Sequence, residues 1–306
     1  MTALRLLPLV LLATGCASTL STMQTAVPLE PKQIQVSVGM GAYAPLGTIW
    51  DVAKLGKDQA SRIKDVVAEG EDYTLTEEDQ QRLLGAGISL AVAPPGVNYE
   101  LMARTGVVKN LDVGVRYSST QLRADVKYRF LHGGDDSPRL HEVERTSKDL
   151  AIGLAISRQI FSGPLVDALS FVQLDDFSRW DLEVPLYASI DVGDVFKLYA
   201  APKYVYGRTS VDQRLVEAED QAGRFVNLPG AVPSRVDSHF WGSTFGVAVG
   251  YRYVHLFAEL TGGYTSAKAQ VLGEERNLGG VTLYPAIGLA IKSDPPTPRA
   301  RRSPTP

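Results

Sequence analysis

The sequence predicts an all-β chain: an antiparallel up-and-down β-barrel of about 8–10 strands, with a short helical insertion in one long loop. Three observations carry this expectation. Apolar and polar residues alternate with period two through most of residues 33–292. The alternating runs are mostly about 9–13 residues long, the length a tilted strand needs to cross a bilayer and well above the usual 5–6 of a soluble strand. The connections sort into a mostly long set and a mostly short set on alternate ends.

The first run is Gln33–Tyr43, with Ile34, Val36, Val38, Met40 and Ala42 on one face and Gln35, Ser37, Gly39, Gly41 and Tyr43 on the other. Residues 50–84 break the alternation. Ile63, Val66 and Val67 form a stripe at helical spacing, and Thr76-Glu77-Glu78-Asp79 reads as a helix start. About two short helices are expected in this loop. Gly87–Ala93 reads as a short strand before Pro94-Pro95. Alternation then resumes over Asn98–Gly106, Leu111–Tyr117, Gln121–Leu131, Leu150–Ile156, Trp180–Val192, Val195–Gly207, His239–Tyr253, His255–Lys268 and Gly280–Lys292. One end receives the connections 44–97, 118–120, 159–179, 208–238 and 269–279. The other receives 107–110, 132–148, 193–194 and the junction at Val254. The short 118–120 and the long 132–148 depart from the pattern, which leaves the strand count open there.

Composition narrows the function classes. The net charge of −3 gives no electrostatic footprint for nucleic acid. Mean hydropathy is near neutral, too polar for a bundle of membrane helices but compatible with half-apolar barrel strands. A single cysteine excludes an internal disulfide framework and any thiolate-rich metal site.

That cysteine lies in the N-terminal stretch. Arg5 is followed by the apolar run Leu6 to Ala13, too short to span a bilayer and suited to a signal segment. Leu12-Ala13-Thr14-Gly15-Cys16 resembles a bacterial lipobox, with Ala13 where that family favours Leu. The resemblance implies a signal over residues 1–15 and a diacylglyceryl thioether plus an N-acyl chain on Cys16. Ala17, in place of Asp, implies transport to the outer membrane. Several acyl chains together give stable anchoring. Residues 16–32 are Ser/Thr/Pro-containing and aperiodic, so a lipidated flexible tether is expected there. Residues 293–306 form a Pro/Arg-rich tail, expected to be disordered.

The hairpin Gly106–Tyr117, the run Asp125-Val126-Lys127-Tyr128-Arg129-Phe130 and the hairpin Phe245–Tyr264 resemble the short-turn hairpins and aromatic strand ends of bacterial outer-membrane β-barrels of porin-like type. The resemblance implies a membrane barrel over residues 33–292 in a Gram-negative envelope. Two features depart from it. The last strand ends in the aliphatic Ala286–Ile291 and is followed by a tail, and a lipid anchor is unusual on a barrel that inserts itself. A soluble, tethered β-barrel binding an apolar ligand is therefore a second expectation, and a narrow outer-membrane channel a third.

Catalytic signatures are missing. Gly242-Ser243-Thr244-Phe245-Gly246 has Thr where a nucleophile elbow needs Ser. No Walker loop, H-E-x-x-H or EF-hand loop occurs. His132, His141, His239 and His255 are scattered, so no metal site is expected. Asp135-Asp136 and Asp175-Asp176 read as surface turns. The constellation of interest is the polar strand face: Glu100, Arg104, Asp112, Arg116, Arg123, Asp125, Lys127, Arg129, Lys197, Lys203 and Glu259. If the apolar face meets lipid, these residues project into the lumen and pair there, since unpaired buried charge is costly. A filled lumen is expected rather than a solute pathway. In the soluble alternative the same residues are the solvated face. Tyr117, Phe130, Trp180, Tyr206, Trp241, Tyr253 and Tyr264 are either interfacial girdles or core and turn-flanking residues. The expected function is a lipid-anchored barrel with a structural or surface-interaction role, without catalysis or cofactor. Its expected partner is outer-membrane lipid, with an envelope protein or a small apolar ligand as further candidates.

Overall fold

A computed structural model describes residues 19–50, 53–54, 57, 95–119, 121–134, 146–159, 177–193, 195–211, 217–219, 225–227, 235–271, 274–277 and 279–294. The expectations for the signal over 1–15, Cys16, Gly87–Ala93, Asp135-Asp136, His141, Asp175-Asp176 and the tail beyond Asp294 lie outside these residues.

The strands are β1 (Ile34–Pro45), β2 (Gly96–Val108), β3 (Leu111–Ser118), β4 (Gln121–Gly134), β5 (Thr146–Gln159), β6 (Phe177–Val192), β7 (Phe196–Val211), β8 (Glu217–Glu219), β9 (Phe225–Asn227), β10 (Arg235–Tyr251), β11 (Val254–Val271), β12 (Glu274–Asn277) and β13 (Gly280–Lys292). β8 and β9 pair only with each other, and β12 extends β11. The other ten form one antiparallel sheet that closes through β1–β13, β13–β11 and β11–β10. The barrel is up-and-down, as expected, and its strand count falls at the top of the expected range.

The register fixes its dimensions. From Lys292 the paired residues run through Gln35, Arg104, Gly114, Asp125, Ala155, Glu183, Val205, Phe240 and Thr265 to Gly280. The circuit thus re-enters β13 twelve residues from its start, at Gly280 instead of Lys292. Ten strands with that stagger tilt by about 40° and close on a ring about 20 Å across between Cα atoms.

Turn chemistry closes one end. Asn110 (φ 69°), Gly193 (φ 57°) and Arg252 (φ 52°) take left-handed conformations in the β2–β3, β6–β7 and β10–β11 turns. Gly and Asn reach that region at little cost. The departures noted above also hold: β3 ends at Ser118 and β4 starts at Gln121, while β4 and β5 are separated by residues 135–145. Among the described residues no strand was miscounted there. In the long loop, residues 46–50 are helical, so the helix starts before the expected position of 50. Of residues 50–84, only 50, 53, 54 and 57 are described, and all four are helical.

The apolar strand faces point outward. Ile34, Val36, Val38, Ile152, Leu154, Ile156, Leu256 and Leu260 are exposed, whereas Ala151, Ala155, Glu100, Arg116 and Lys127 are buried. This is the reverse of what a soluble barrel with an apolar interior requires, and it overturns the expectation of a tethered soluble module. Exposed aromatics bound the apolar wall at both ends. Tyr99, Tyr117, Trp180, Trp241 and Tyr264 mark the long-loop side, and Tyr128, Phe130, Phe196, Tyr251 and Tyr253 the short-turn side. Trp241 and Tyr251 stand ten residues apart on β10. At about 3.3 Å per residue and 40° of tilt that is about 25 Å along the axis, the height of a membrane barrel's apolar band. The aromatics expected as girdles or as core residues are outward-facing, so the girdle reading holds.

Leu154 lies near the middle of this band and is 49% exposed. Leu154→Arg is expected to cost about 2–4 kcal/mol, the penalty for a charge on the lipid face near the midplane. Equilibrium unfolding in lipid vesicles measures it. An unchanged stability would contradict the placement of this wall in lipid.

The structure differs sharply from the tether expected over residues 16–32. Residues 19–29 are buried, all but Val27 to the degree of core residues. They run through the barrel lumen.

Candidate functional site: a lumen filled by the N-terminal segment

The lumen wall is built by alternation. Inward positions carry the charged and hydroxyl residues, because the outward ones are committed to lipid. Of the eleven charges singled out in the sequence, Glu100, Arg104, Asp112, Arg116, Arg123, Asp125, Lys127, Lys197, Lys203 and Glu259 are buried, and Arg129 is half-buried near the short-turn end. They form short chains of ion pairs. Arg104 bridges Asp112 and Asp125, each at 2.5 Å, and Lys127 reaches Asp112 at 3.3 Å. Arg123 meets Glu183 at 2.5 Å, with Lys203 4.0 Å from the same carboxylate. Arg116 lies 3.3 Å from Glu100. Lys197 pairs with Asp191 at 2.6 Å, and Arg129 with Asp149 at 3.0 Å. Adjacent opposite charges offset the cost of burying them in a narrow lumen.

The wall charges also hold the segment. Its lower end is fixed at the short-turn mouth, where the Lys32 amide donates to Gly106 O at 2.8 Å and the Gly106 amide donates to Gln33 O at 3.1 Å. The Leu29 amide donates to Asp112 Oδ2 at 3.1 Å. Lys127 Nζ donates to the carbonyls of Thr25 and Val27 at 2.9 and 3.2 Å. Gln24 Nε2 donates to Tyr187 OH at 2.9 Å. Glu259 accepts the consecutive amides of Thr22 and Met23 at 2.6 and 2.9 Å, and the Tyr199 hydroxyl at 2.8 Å. Arg116 donates to Ser21 O and Thr22 O at 2.8 and 2.9 Å. Lys203 Nζ and Thr261 Oγ1 donate to Leu20 O, and Thr19 Oγ1 donates to Glu100. The segment makes no strand ladder, so its backbone groups are satisfied by side chains instead.

Backbone approach requires glycine at one place, and a pair of glycines makes room for a side chain at another. A Cβ on Gly106 would stand 2.1 Å from Glu30 O, so the segment passes β2 where no side chain stands in its way. Gly39 and Gly288 are paired across β1 and β13 and form a notch for Met23, which is 2% exposed. A Cβ on Gly39 would stand 2.5 Å from Met23 Cε, and one on Gly288 would stand 2.5 Å from its Sδ. Gly39→Val is expected to destabilise by about 1–3 kcal/mol through overpacking. Met23→Ala, which leaves the notch empty, should cost about 2–5 kcal/mol. The double variant should lose less than the sum of the two, as contacting residues do. Strict additivity in urea unfolding would mean that Met23 does not occupy the notch.

The space left beside the segment is unequal. A cavity of about 450 Å³ opens at the short-turn mouth, between Gln24, Glu30, Lys127, Lys197, Arg252 and Lys292. Towards the long loops a smaller space of about 40 Å³ lies between Thr19, Tyr43, Gln121, Asp181 and Phe240. That is room for about one water molecule. Between these two spaces Leu20 and Met23 of the segment are buried against Tyr43, Met102, Tyr199 and Tyr284 of the wall.

Sequence reasoning found the charged wall and missed what it holds. Residues 19–29 lack a period because they belong to no helix or strand. Glu183, Tyr187, Tyr199 and Tyr284 also line the interior and were legible as inward members of their strands. His255 is buried inside, His239 lies on the outer wall against Tyr204 and Trp241, and His132 sits at a strand end 2.6 Å from Asp149. No group of three or more metal-ligating side chains occurs among the described residues.

No family model and no curated protein matches the chain. Among solved structures, the chain is similar to Neisserial surface protein A, at 10% identity over 85% of this chain and 95% of that one, with a TM-score of 0.30. It is similar to Ail, the attachment invasion locus protein of Yersinia pestis, solved with the heparin analogue sucrose octasulfate, at 9% identity over 86% and 99% of the two chains, with a TM-score of 0.25. The NanC porin matches at 10% identity over 84% and 98%, also with a TM-score of 0.25. At these scores the barrel assignment stands on the strand pairing and the outward apolar wall.

Proposed function

We propose that this chain is a lipid-anchored barrel of the bacterial outer membrane, sealed by its own N-terminal segment, with a structural or surface-interaction role and no catalysis. One observation carries the reading. The apolar wall faces outward while the lumen is occupied by residues 19–29. A barrel arranged in this way offers lipid a complete contact surface and offers a solute no continuous path. What it presents for interaction is the long-loop face. The partner class that fits is outer-membrane lipid around the wall, with an envelope protein at the loops. The charged lumen residues are then packing partners of the segment rather than a selectivity filter.

The anchor is tested by growing cells with labelled palmitate. Wild-type protein should carry label and lose it on Cys16→Ala, while the barrel still fractionates with the outer membrane. A Cys16→Ala barrel that keeps the label would refute acylation at this residue. A barrel recovered in the soluble periplasmic fraction would refute the membrane reading as a whole.

A further inference from the structure

We propose that the lumen segment carries the N-terminal end of the mature chain through the barrel, so that acyl chains on Cys16 enter the outer leaflet beside the β3–β4 turn. This deepens the lipid-anchor reading and rests on it. It follows from the direction of the segment, the height of the wall and the reach of a peptide chain.

The direction is set by the hydrogen bonds. Glu30 to Gln33 lie at the short-turn mouth, beside Gly106 and Ser293. Above them, Leu29 meets Asp112, Thr22 meets Glu259, and Thr19 meets Glu100 and Tyr284. Reading from Gln33 back to Thr19, the chain climbs from the short turns towards the long loops. In membrane barrels the short turns face the periplasm and the long loops the exterior.

The wall differs in height around the ring. β6, β7, β10 and β11 are 16, 16, 17 and 18 residues long, against 8 for β3. Glu100 pairs with Ser118, the last residue of β3, and Ser119 is bonded to Tyr99. The wall therefore ends close to the level of Thr19 on this side. On the opposite side, Thr261 pairs with Thr244, and β10 and β11 continue past that pair to Arg235 and Val271. The outward-facing Tyr99 and Tyr117 belong to the upper girdle and adjoin the level of Glu100. Thr19 thus sits inside the barrel at headgroup height, beside the lowest part of its rim.

Reach decides the leaflet. The three residue steps from Thr19 to Cys16 span at most about 11 Å. From Glu100 down to Val108, the short-turn end of β2, is eight residues of strand, about 26 Å. A return to the periplasmic rim is beyond the chain's reach. The low rim at β3–β4 is within reach. The seam allows such an assembly: β1 follows the segment directly and pairs with β13, the last strand. The segment can be laid along β2 and β3 before the ring closes.

The test inserts a short epitope between Ser18 and Thr19 of the full chain and follows labelled palmitate in the same cells. The epitope should bind antibody as strongly on intact cells as after the outer membrane is permeabilised, with palmitate still incorporated. Binding only after permeabilisation, in a labelled protein, would overturn the threaded topology while leaving the anchor reading intact. An exposed epitope without label would overturn the anchor reading, and the leaflet assignment with it. Ser18→Cys, probed on intact cells with a membrane-impermeant maleimide, gives the same reading if the insertion prevents folding. Labelling on intact cells supports the topology, and labelling only after permeabilisation overturns it.

Discussion

Replacing residues 19–29 with a Gly/Ser chain of equal length, and keeping residues 1–18 and 30–33, is expected to turn a silent barrel into a conducting one. The ring is about 20 Å across between Cα atoms, and its inward side chains are charged or hydroxyl-bearing, so the vacated volume fills with water. In planar bilayers the wild-type barrel should give no discrete current steps, and the replaced barrel should give them. A wild-type barrel that conducts as well as the replaced one would refute the sealing role. The replacement also strips partners from Glu259, Arg116, Lys203 and Lys127. The heat-modifiable transition on a gel should therefore fall to a lower temperature.

The second large effect is expected at Glu259. This buried carboxylate takes the amides of Thr22 and Met23 and the Tyr199 hydroxyl, and those three bonds hold the middle of the segment. Glu259→Leu removes every acceptor from two buried N–H groups and is expected to cost about 3–5 kcal/mol, the scale for breaking a buried charged arrangement. Glu259→Gln keeps one acceptor oxygen but points an N–H₂ at an N–H, and should cost about 1–3 kcal/mol. Tyr199→Phe removes only one hydrogen bond and should cost about 1 kcal/mol. Urea unfolding in vesicles gives the order Leu, then Gln, then Tyr199→Phe. If Glu259→Leu proves no worse than Tyr199→Phe, the carboxylate does not hold the segment.

The parts of this architecture that repeat were legible in the sequence. Ile34-Gln35-Val36-Ser37-Val38 declares a two-faced strand, and Asp125-Val126-Lys127-Tyr128-Arg129 does the same with charges. Which face meets lipid was not decided by alternation, because a soluble barrel and a membrane barrel share the period and differ only in its sense. Strand length and the aromatic ends favoured the membrane, and the exposed Leu154 and buried Arg116 settle it. The lumen segment was illegible for a physical reason. Thr19, Ser21, Thr22, Gln24 and Thr25 are small and polar, the composition of a solvated linker. It is equally the composition of a chain that must fit a narrow polar bore and offer its backbone to wall side chains. Nothing local separates the two. The distinguishing feature is non-local: Glu259, Arg116 and Lys203 have partners in a segment more than ninety residues away in the chain.

The most direct test of the central claim, that the barrel encloses its own N-terminal segment, is a cross-link between Thr22 and Thr244. Their hydroxyl oxygens lie 3.2 Å apart, and a disulfide needs its sulfurs at about 2.05 Å, a small adjustment for two side chains. In the oxidising envelope, Thr22→Cys with Thr244→Cys should form a bond that protease digestion and mass spectrometry locate between these positions. The pair Thr22→Cys with Val249→Cys should not, because Val249 faces outward. Free, alkylatable thiols at both 22 and 244 in the folded barrel would contradict the account.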